Sequence, residues 1–465
     1  MSKYLYGASV QGIQEFIFAT NKLQEIVGAS ELVKKVENLF IDNFKPDELL
    51  LNAAGNIKAV YNSKEECEKA VLDFPKMIMQ STYGITISQA VVVFDGNVKD
   101  FINELEKKLK IQRNKPSIPL DLSLNITKLN PKTAKPMVTK DEDKATSQKL
   151  EAYKVFLENN PQNKEFKELS DFSNHKNKIA VVHIDGNGLG QLIPKLSMPL
   201  SDFSQKLDSA TKEAFKNSKD DTMSIREVIL GGDDVTVICN ANDALEFTKN
   251  FLQNFEKETT KCFGIDKKIT ACAGIAYTNE KYPFHYAVDL AEALCGVAKN
   301  HSNREYSCLM FHNIQSSNFV NFDEYIDKEL TLNKGKDKVH LNYGPYFVNR
   351  QDKYSTIDSF NLLANAFKQK GSPISRLREW LTMLGQNSVQ AKERLKRINQ
   401  MIELGDDIFT KKALENCMRI FNQEILLEDL TYERDAMKFT PIGDVNNYLS
   451  VIDYEKEEKK VECNV

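Results

Sequence analysis

Three aspartates have the sequence context of a site for metal-assisted phosphoryl transfer. Asp185 ends an apolar run and is followed at once by a glycine-rich segment. Asp233 and Asp234 lie in a Gly-Gly-Asp-Asp turn between two stretches in which apolar residues alternate. Like charges repel, so converging carboxylates need a counter-charge, and Mg²⁺ or Mn²⁺ accepts such hard oxygen ligands while it also binds phosphates. The pattern therefore predicts two divalent cations that support an in-line displacement at phosphorus.

The residues beside these aspartates are suited to a triphosphate. Small residues let the backbone approach the phosphates, and N–H groups at the start of a helix favour anions. The expected catalytic residues are Asp185, Asp233 and Asp234, and the expected metal ligands are these three with Ile184. The expected nucleotide-binding residues are Gly186, Asn187, Gly188, Leu189, Gly190, Gly231, Gly232, Lys299, Gly12 and Asn56.

Each of these features also has a purely structural explanation. Residues 231–234 alone would make a well-formed hairpin turn, and the glycine run alone would make a tight turn. Lys299 would be a solvated surface lysine, and His183 is expected to be a core residue without a ligand role. The position of Asp185 favours the functional interpretation, since a hairpin turn does not require it.

An internal repeat shows which elements position these residues. Residues 4–17 match residues 180–193, each an apolar strand that leads through a glycine into a helix. In this alignment Ser9 corresponds to Asp185. Matched segments in the same order along the chain indicate a duplicated domain.

The hairpins form the second part of the repeat. Residues 48–61 have the same layout as residues 226–239, with two short apolar strands around a tight turn. A helix and another strand follow each hairpin, so each copy is β-α-β-β-α-β, the arrangement of a ferredoxin-like or palm sheet. In the first copy Ser9, Gly55 and Asn56 replace the three aspartates. We expect this copy to be catalytically inactive and still to bind a nucleotide.

The chain divides into four regions. Residues 1–128 are expected to form a degenerate palm domain, 129–177 a linker with a short helix, 178–350 the catalytic palm domain, and 351–465 a helical domain with a charged tail. The predicted fold class is α+β, with two ferredoxin-like palm domains in tandem and a C-terminal helical bundle.

Composition excludes several classes of protein. The 465 residues include 62 Lys and Arg and 66 Asp and Glu, a net charge of −4 at pH 7, which excludes a strongly basic coat for nucleic acid. No apolar run is long enough to cross a bilayer and the N-terminus lacks signal-peptide features, so we expect a cytoplasmic protein without membrane contact. The 8 cysteines contain no CxxC pair and are expected to be reduced core thiols.

These motifs resemble a known family. The segment that starts at Asp185, the Gly-Gly-Asp-Asp hairpin and the run Leu290–Lys299 look like the second palm domain of the large subunit of type III CRISPR effector complexes. Residues 11–18 and 25–30 resemble the first palm of that family, and residues 375–381 are similar to part of its last domain. The family is related to diguanylate (GGDEF) and nucleotidyl cyclases, and it makes cyclic oligoadenylates from ATP.

The resemblance implies a nucleotidyltransferase that joins ATP molecules into a cyclic product and releases pyrophosphate. The cyclic product would activate a downstream effector in antiviral defence. It also implies RNA and CRISPR effector subunits as partners. The chain contains no His-Asp dipeptide, the mark of the family's HD nuclease domain, and it lacks the cysteines that often bind zinc between the palms. We therefore expect no DNA cleavage.

Three hypotheses for function remain open at the level of sequence. The first is the ATP-joining enzyme, the second is a palm-fold scaffold subunit of an RNA-guided complex, and the third is a stand-alone cyclase of one or two nucleotides in another defence system. Three converging acids favour an enzyme over a scaffold. A pI near 6.0 disfavours an extensive RNA-binding surface.

Overall fold

The structure is a computed structural model that describes residues 2–53, 55–115, 126–192, 198–264, 268–314, 322–332, 338–349, 354–368, 372–404 and 430–454. The strands among these residues form three sheets, two of which belong to palm domains. No helix in the described ranges is long and apolar enough to span a bilayer.

The first palm is a four-stranded antiparallel sheet with helices on both faces. Its strands are β1 (Lys3–Gln11), β2 (Glu48–Ala53), β3 (Asn56–Tyr61) and β4 (Thr86–Phe94), in the order β2-β3-β1-β4. Its helices are α1 (Ile13–Phe18), α2 (Leu23–Asn43), α3 (Lys64–Ser81) and α4 (Lys99–Arg113). Alternate residues of β1 serve two cores: Tyr6 packs with α2 and α3, whereas Leu5 packs with α4.

The segment between the palms contains a helix longer than the sequence analysis expected. Helix α5 (Lys144–Asn159) starts after Asp143, whose side chain accepts a hydrogen bond from the Thr146 N–H. It packs closely on α2, where a Cβ on Gly28 would lie 1.8 Å from the Lys149 carbonyl oxygen. Lys149 also donates to the Phe16 carbonyl oxygen at 2.7 Å. Part of the expected linker therefore completes the core of the first palm.

The second palm has the same central order of strands and two more strands at one edge. Its elements are β5 (Lys178–Gly186), α6 (Leu189–Leu192), α7 (Leu200–Ser218), β6 (Ile225–Gly231), β7 (Asp234–Asn240), α8 (Ala244–Phe263), β8 (Ala271–Asn279), α9 (Phe284–His301) and β9 (Cys308–Asn313). The order is β9-β8-β5-β7-β6, and the short strand Tyr346–Phe347 lies beside β9. Strand β5 is an almost continuous apolar run because helices cover both of its faces.

The predicted duplication is confirmed by the shared strand order and by details at the strand ends. The Val10 N–H donates to the Gly55 carbonyl oxygen at 2.8 Å, and the Gly186 N–H donates to the Asp233 carbonyl oxygen at 3.1 Å. The glycines that follow the first strand of each copy both have positive φ, 59° at Gly12 and 71° at Gly188. Left-handed backbone is accessible to glycine without strain, so the same turn recurs in both palms.

The part of the chain that follows β9 contains the expected C-terminal helices and, in addition, several short strands. Its elements are α10 (Phe322–Glu329), β10 (Thr331–Leu332), β11 (Val339–His340), β12 (Tyr346–Phe347), α11 (Ile357–Lys368), α12 (Ile374–Gln386), α13 (Ser388–Leu404), β13 (Tyr432–Arg434), β14 (Met437–Phe439) and α14 (Pro441–Val451). A third sheet has the order β10-β11-β14-β13. The helices pack on the second palm through Phe360 and Trp380. The rest of the expected domain, residues 405–429 and the tail from residue 455, lies outside the described residues.

The two palms contact each other in a reciprocal way. Helix α2 of the first palm packs near β6 of the second, and α7 of the second palm packs near β2 of the first. These are corresponding elements of the repeat, so the palms are related like the two halves of a symmetric dimer. At this contact the Ser30 hydroxyl donates to the Val228 carbonyl oxygen.

Candidate active site

The three aspartates predicted from sequence converge at the end of the second sheet. Asp185 and Asp234 are Cα partners on β5 and β7, and Asp233 lies in the turn that precedes β7. His183 and Thr236, two residues from these partners, share a hydrogen bond of 3.2 Å, which shows that the four side chains lie on one face of the sheet.

Burial and mutual repulsion make the carboxyl groups of Asp233 and Asp234 hard to ionise. Burial and then the charge of Asp185 raise the pKa of Asp233 to about 6, and the same causes in the same order raise the pKa of Asp234 to about 7. The Oδ1 atom of Asp234 is buried and has no hydrogen-bond partner in the described structure. A cation that binds here would offset both the repulsion and the unsatisfied oxygen.

Lys299 is a buried part of the site, so the alternative of a solvated surface lysine is wrong. Its side chain is only 7% exposed, and Nζ lies 2.5 Å from Oδ2 of Asp185. Nζ also donates to the Gly186 carbonyl oxygen at 2.9 Å. Lys299 thus stabilises the charge of Asp185 and fixes the start of the glycine segment. Its contact with phosphate remains a prediction.

His183 has the core position expected from the sequence. It is buried, and burial lowers the pKa of its imidazole to about 4, so the ring is neutral near pH 7. Its Nδ1 lies 3.6 Å from Oδ1 of Asp234, beyond hydrogen-bond distance. A neutral imidazole in this position helps to pack the site without adding positive charge.

The glycine segment, residues 186–190, contributes to the site through its backbone more than through its side chains. A Cβ on Gly186 would lie 2.8 Å from the Cβ of Asp233, so only glycine permits the close approach of strand and hairpin. The Asn187 amide points into the protein and donates to Oγ1 of Thr270 at 3.0 Å. Leu189 packs in the core. Asn187 and Leu189 can therefore meet a nucleotide only through their main chain.

The site residues fit a divalent cation, although they are not arranged as a preformed cage. Within the described ranges, no group of three or more His, Cys, Asp or Glu side chains is already gathered around a single point. One reason is that Lys299 holds a carboxylate oxygen of Asp185. The unsatisfied oxygen of Asp234 and the hard donor set nevertheless match Mg²⁺ or Mn²⁺. Ile184 has a fully buried side chain, so only its carbonyl oxygen remains as a predicted ligand.

Glu292 is a partly buried acidic residue that the sequence analysis did not name, and the charge of Asp185 acts on it. It lies on α9, two turns before Lys299, and its Oε1 is buried without a described hydrogen-bond partner. Burial, and then the charges of Asp289 and Asp185, raise its pKa to about 7. The seven-residue spacing from Lys299 places both residues on the same side of the helix, a signal that the sequence did contain.

A cavity of about 690 Å³ lies between the palms, next to the aspartates. Gly12 and α2 line it from the first palm, and Gly231, Gly232 and Asp234 line it from the second. Predicted residues from both repeats therefore meet at one cavity. Asn56 is not among the lining residues, and its amide instead accepts a hydrogen bond from the Ser9 hydroxyl at 2.8 Å.

Comparison with known proteins confirms the resemblance seen in the sequence. Residues 178–308 match the family model of the Cas10/Cmr2 second palm domain. No curated protein sequence matches the chain.

Solved structures share the fold over nearly the whole chain. The Csm1-Csm4 cassette in complex with AMPPNP has a TM-score of 0.56 and 14% identity, covering 97% of this chain and 70% of that chain. The cassette in complex with cA4 has a TM-score of 0.55, 14% identity and the coverages 97% and 70%. Csm1 in T. onnurineus has a TM-score of 0.53, 12% identity and the coverages 97% and 69%. The tandem palm architecture is therefore confirmed.

Proposed function

We propose that this chain, whose residues 178–308 carry a Cas10/Cmr2 second palm domain, is a metal-dependent nucleotidyltransferase that makes cyclic oligoadenylates from ATP. The observation that carries the proposal is the convergence of Asp185, Asp233 and Asp234 beside a cavity lined by both palms. Similar structures hold AMPPNP, one ATP or cA4, which supports adenine nucleotides as substrate and product.

The proposed reaction joins two nucleotides at the junction of the palms. The 3′-hydroxyl of one ATP attacks the α-phosphate of another, a 3′–5′ phosphodiester forms, and the bond to pyrophosphate breaks. Repetition lengthens the oligonucleotide. The ring closes when its terminal 3′-hydroxyl attacks the α-phosphate at its own 5′ end and the last pyrophosphate leaves. Two Mg²⁺ or Mn²⁺ ions, when bound, would supply the positive charge for the triphosphate and promote loss of the hydroxyl proton.

In this scheme the chain's own residues bind the cations and orient the two nucleotides. Asp185, Asp233 and Asp234 would hold the cations, while Lys299 keeps Asp185 in place through its Nζ contact. The glycines at 186, 188 and 190 would let the backbone approach the phosphates of the donor. The first palm, which lacks the three aspartates, would present the acceptor, since ligation needs two nucleotide pockets at one junction.

The decisive experiment supplies the purified protein with each nucleoside triphosphate in turn, with Mg²⁺ or Mn²⁺, and identifies products by mass spectrometry. We expect cyclic products from ATP, and none from the double variant Asp233→Asn/Asp234→Asn. A cyclic product from GTP would instead support a dinucleotide cyclase. Equal turnover by the wild-type protein and a folded double variant would contradict the assignment of the site.

We also infer that the chain works with a protein partner. The similar structures that contain nucleotides are cassettes of Csm1 with Csm4, which supports a CRISPR effector subunit as the partner. RNA as a ligand of the assembly is a prediction from the family resemblance alone. A scaffold role alone would not require converging acids. Co-purification of this chain with candidate effector subunits and guide RNA tests the partner, independently of catalysis.

A further inference from the structure

A buried threonine of α7 contacts the turn that carries two of the aspartates. The side chain of Thr211 is fully buried, and its hydroxyl donates to the Gly232 carbonyl oxygen at 2.5 Å. The carbonyl oxygen of Leu207, one turn earlier in the helix, lies at 2.9 Å from the same hydroxyl. A hydroxyl has one proton, so the nearer Gly232 oxygen is its main acceptor. Helix α7 and the Gly-Gly-Asp-Asp turn are therefore joined by a side chain that the sequence analysis did not name.

The start of this turn is held by hydrogen bonds rather than by packing. A Cβ on Gly231 or Gly232 would meet no atom within 4 Å, so no neighbour confines these two residues. Gly232 has a φ of 61°, one of several conformations that are open to glycine. Two successive carbonyl groups of the turn accept hydrogen bonds from outside the hairpin: Gly232 from the Thr211 hydroxyl, and Asp233 from the Gly186 N–H. These contacts select one conformation of a flexible segment.

The Thr211 contact fixes the orientation of the peptide group that leads into Asp233. The peptide bond between Gly232 and Asp233 is planar and trans, so its carbonyl and N–H groups point in opposite directions. Because the carbonyl group points to α7, the Asp233 N–H points away from this helix. Without the hydroxyl this peptide group could rotate, and the carboxyl group of Asp233 would move with the backbone.

The first palm ties its hairpin turn to its helix with a different chemical group. There the Gly55 N–H donates to Oε1 of Glu37 on α2 at 3.0 Å. Gly55 precedes Asn56 as Asp233 precedes Asp234, and these are corresponding positions of the two sheets. A carboxylate in this place in the second palm would add to the repulsion among the aspartates, whereas a hydroxyl adds no charge. A neutral anchor therefore suits a turn whose acids bind cations.

Helix α7 is a firm support for the turn. It packs on α8 of its own palm and near β2 of the first palm. Asp208 and Lys212, on either side of Thr211, line the cavity between the palms and form an ion pair of 2.6 Å. The turn is thus attached to a helix that contacts both palms.

We propose that Thr211 is a positioning residue of the metal site. Its hydroxyl holds the Gly232 carbonyl group so that Asp233 and Asp234 present their carboxylates together to a divalent cation, and it touches neither the cation nor the substrate. The proposal deepens the proposed function and rests on it in one respect, namely that cations held by these aspartates take part in product formation.

The test removes the hydroxyl and keeps the shape of the side chain. Thr211→Val replaces the hydroxyl by a methyl group, whereas Thr211→Ser keeps the hydroxyl. Binding of Mn²⁺ without nucleotide is measured by electron paramagnetic resonance of the free ion. We expect Thr211→Val to weaken Mn²⁺ binding by roughly 5- to 30-fold, which corresponds to loss of one buried hydrogen bond. Thr211→Ser should stay within about threefold of the wild-type affinity.

Thr248→Val is the matched control. Thr248 is a fully buried threonine on the neighbouring α8, and its hydroxyl donates to the Ala244 carbonyl oxygen at 2.7 Å, one turn earlier in that helix. This variant reproduces the loss of a buried hydroxyl from a helix and should lower thermal stability about as much as Thr211→Val. Its Mn²⁺ affinity should stay within about twofold of the wild-type value, because additive effects are expected of a distant site.

Product formation from ATP is measured in parallel over a range of Mg²⁺ concentrations. Thr211→Val should need roughly 5- to 30-fold more Mg²⁺ for half of its maximal rate, and Thr211→Ser should restore the wild-type requirement. Equal Mn²⁺ affinity in the wild-type protein and Thr211→Val, an equal loss in Thr248→Val, or no Mn²⁺ binding by the wild-type protein would overturn the positioning role. Weaker Mn²⁺ binding in Thr211→Val, together with no product from the wild-type protein, would reject the proposed function and keep the positioning role.

A second pair of variants covers the case in which Thr211→Val does not fold. Thr211→Ala and Thr211→Ser differ from each other by the hydroxyl alone. Their Mn²⁺ affinities should differ by the same factor, and equal affinities would overturn the proposal.

Discussion

Asp185 lies directly opposite Asp234 on neighbouring strands, and Ser9 lies opposite Asn56 in the same register of the other palm. The backbone that positions each pair is therefore the same in the two copies, including the glycine turn and the hydrogen bond from strand to hairpin. Only the chemistry of the side chains differs. Under the proposed function, the second palm would carry out metal-dependent catalysis and the first would hold a second substrate.

The repulsion among the aspartates predicts how the metal-free protein responds to pH. The folded-state pKa values, about 6 for Asp233 and about 7 for Asp234, lie above the unfolded values near 3.9. Their favourable contribution to stability is therefore present below about pH 4 and is lost as pH rises through 6 and 7. At pH 8 in EDTA, Asp233→Asn/Asp234→Asn should be more stable than the wild-type protein. The gain is on the order of 1 kcal/mol, since the Asp234 side chain is 39% exposed and solvent screens its charge.

Thermal and urea unfolding at pH 4 and pH 8 measure this difference, which should nearly vanish at pH 4. Addition of Mg²⁺ at pH 8 should stabilise the wild-type protein and should stabilise the double variant much less, because two of the three predicted carboxylate ligands are absent. A double variant that is less stable than the wild-type protein at pH 8 in EDTA would show that the carboxylates do not repel.

Removal of the buried Lys299 should destabilise the protein in the absence of metal. Lys299→Ala leaves Asp185 without its counter-charge. Because Asp185 is partly exposed to solvent, we expect the free energy of unfolding to fall by about 1–3 kcal/mol. Mg²⁺ should recover part of the loss by neutralising the same carboxylate. Lys257→Ala, an exposed lysine on α8, is the matched control and should be neutral within about 0.5 kcal/mol. Equal unfolding curves for Lys299→Ala and Lys257→Ala would show that Lys299 does not stabilise the charge of Asp185.

The close approach of strand and hairpin predicts that Gly186→Ala displaces Asp233. The new Cβ would lie 2.8 Å from the Cβ of Asp233, so backbone must shift at a cost of about 1–3 kcal/mol. Product formation should fall at least tenfold if the aspartates must hold two cations at fixed separation. Gly296→Ala meets no atom within 4 Å and lies within α9, so it should stabilise the helix by about 0.5–1 kcal/mol and keep activity. Unchanged activity in Gly186→Ala would argue against a fixed geometry.

The sequence alone predicts the repeated parts of this fold well. Alternating apolar residues and the glycine turns locate β1, β5 and both hairpins, because such local patterns depend on neighbours in the chain. The aspartate cluster follows from the same patterns once the palm topology is assumed. Its electrostatic consequence, the raised pKa of Asp234, needs the burial that only the folded structure supplies.

The features that the sequence did not reveal depend on distant or very short segments. The sequence indicates a small strand element at residues 339–348, which contains β11. The other strands of the third sheet have two or three residues and are too short for a period-two pattern. Arg113 meets Ser9 across most of the first palm, so no local spacing connects them. Helix α5 was expected to be short because polar residues and prolines flank it, whereas its packing on α2 sustains all 16 residues. Tertiary contacts decide such cases.

Competition between protons and metal predicts how activity depends on pH. Cations can bind only to ionised carboxylates, so metal binding displaces the protons that Asp233 and Asp234 hold near neutral pH. At low Mg²⁺ the rate of product formation should rise through pH 6 to 7. The midpoint should move to lower pH as Mg²⁺ increases, by up to about one unit for each tenfold rise if one proton is released per ion. His183 is neutral over this range because burial lowers the pKa of its imidazole to about 4. We therefore expect His183→Gln to keep the same midpoint and the same response to Mg²⁺, even if altered packing lowers the rate of product formation. A midpoint that ignores Mg²⁺, or one that disappears in His183→Gln, would show that a group other than the aspartates controls the reaction.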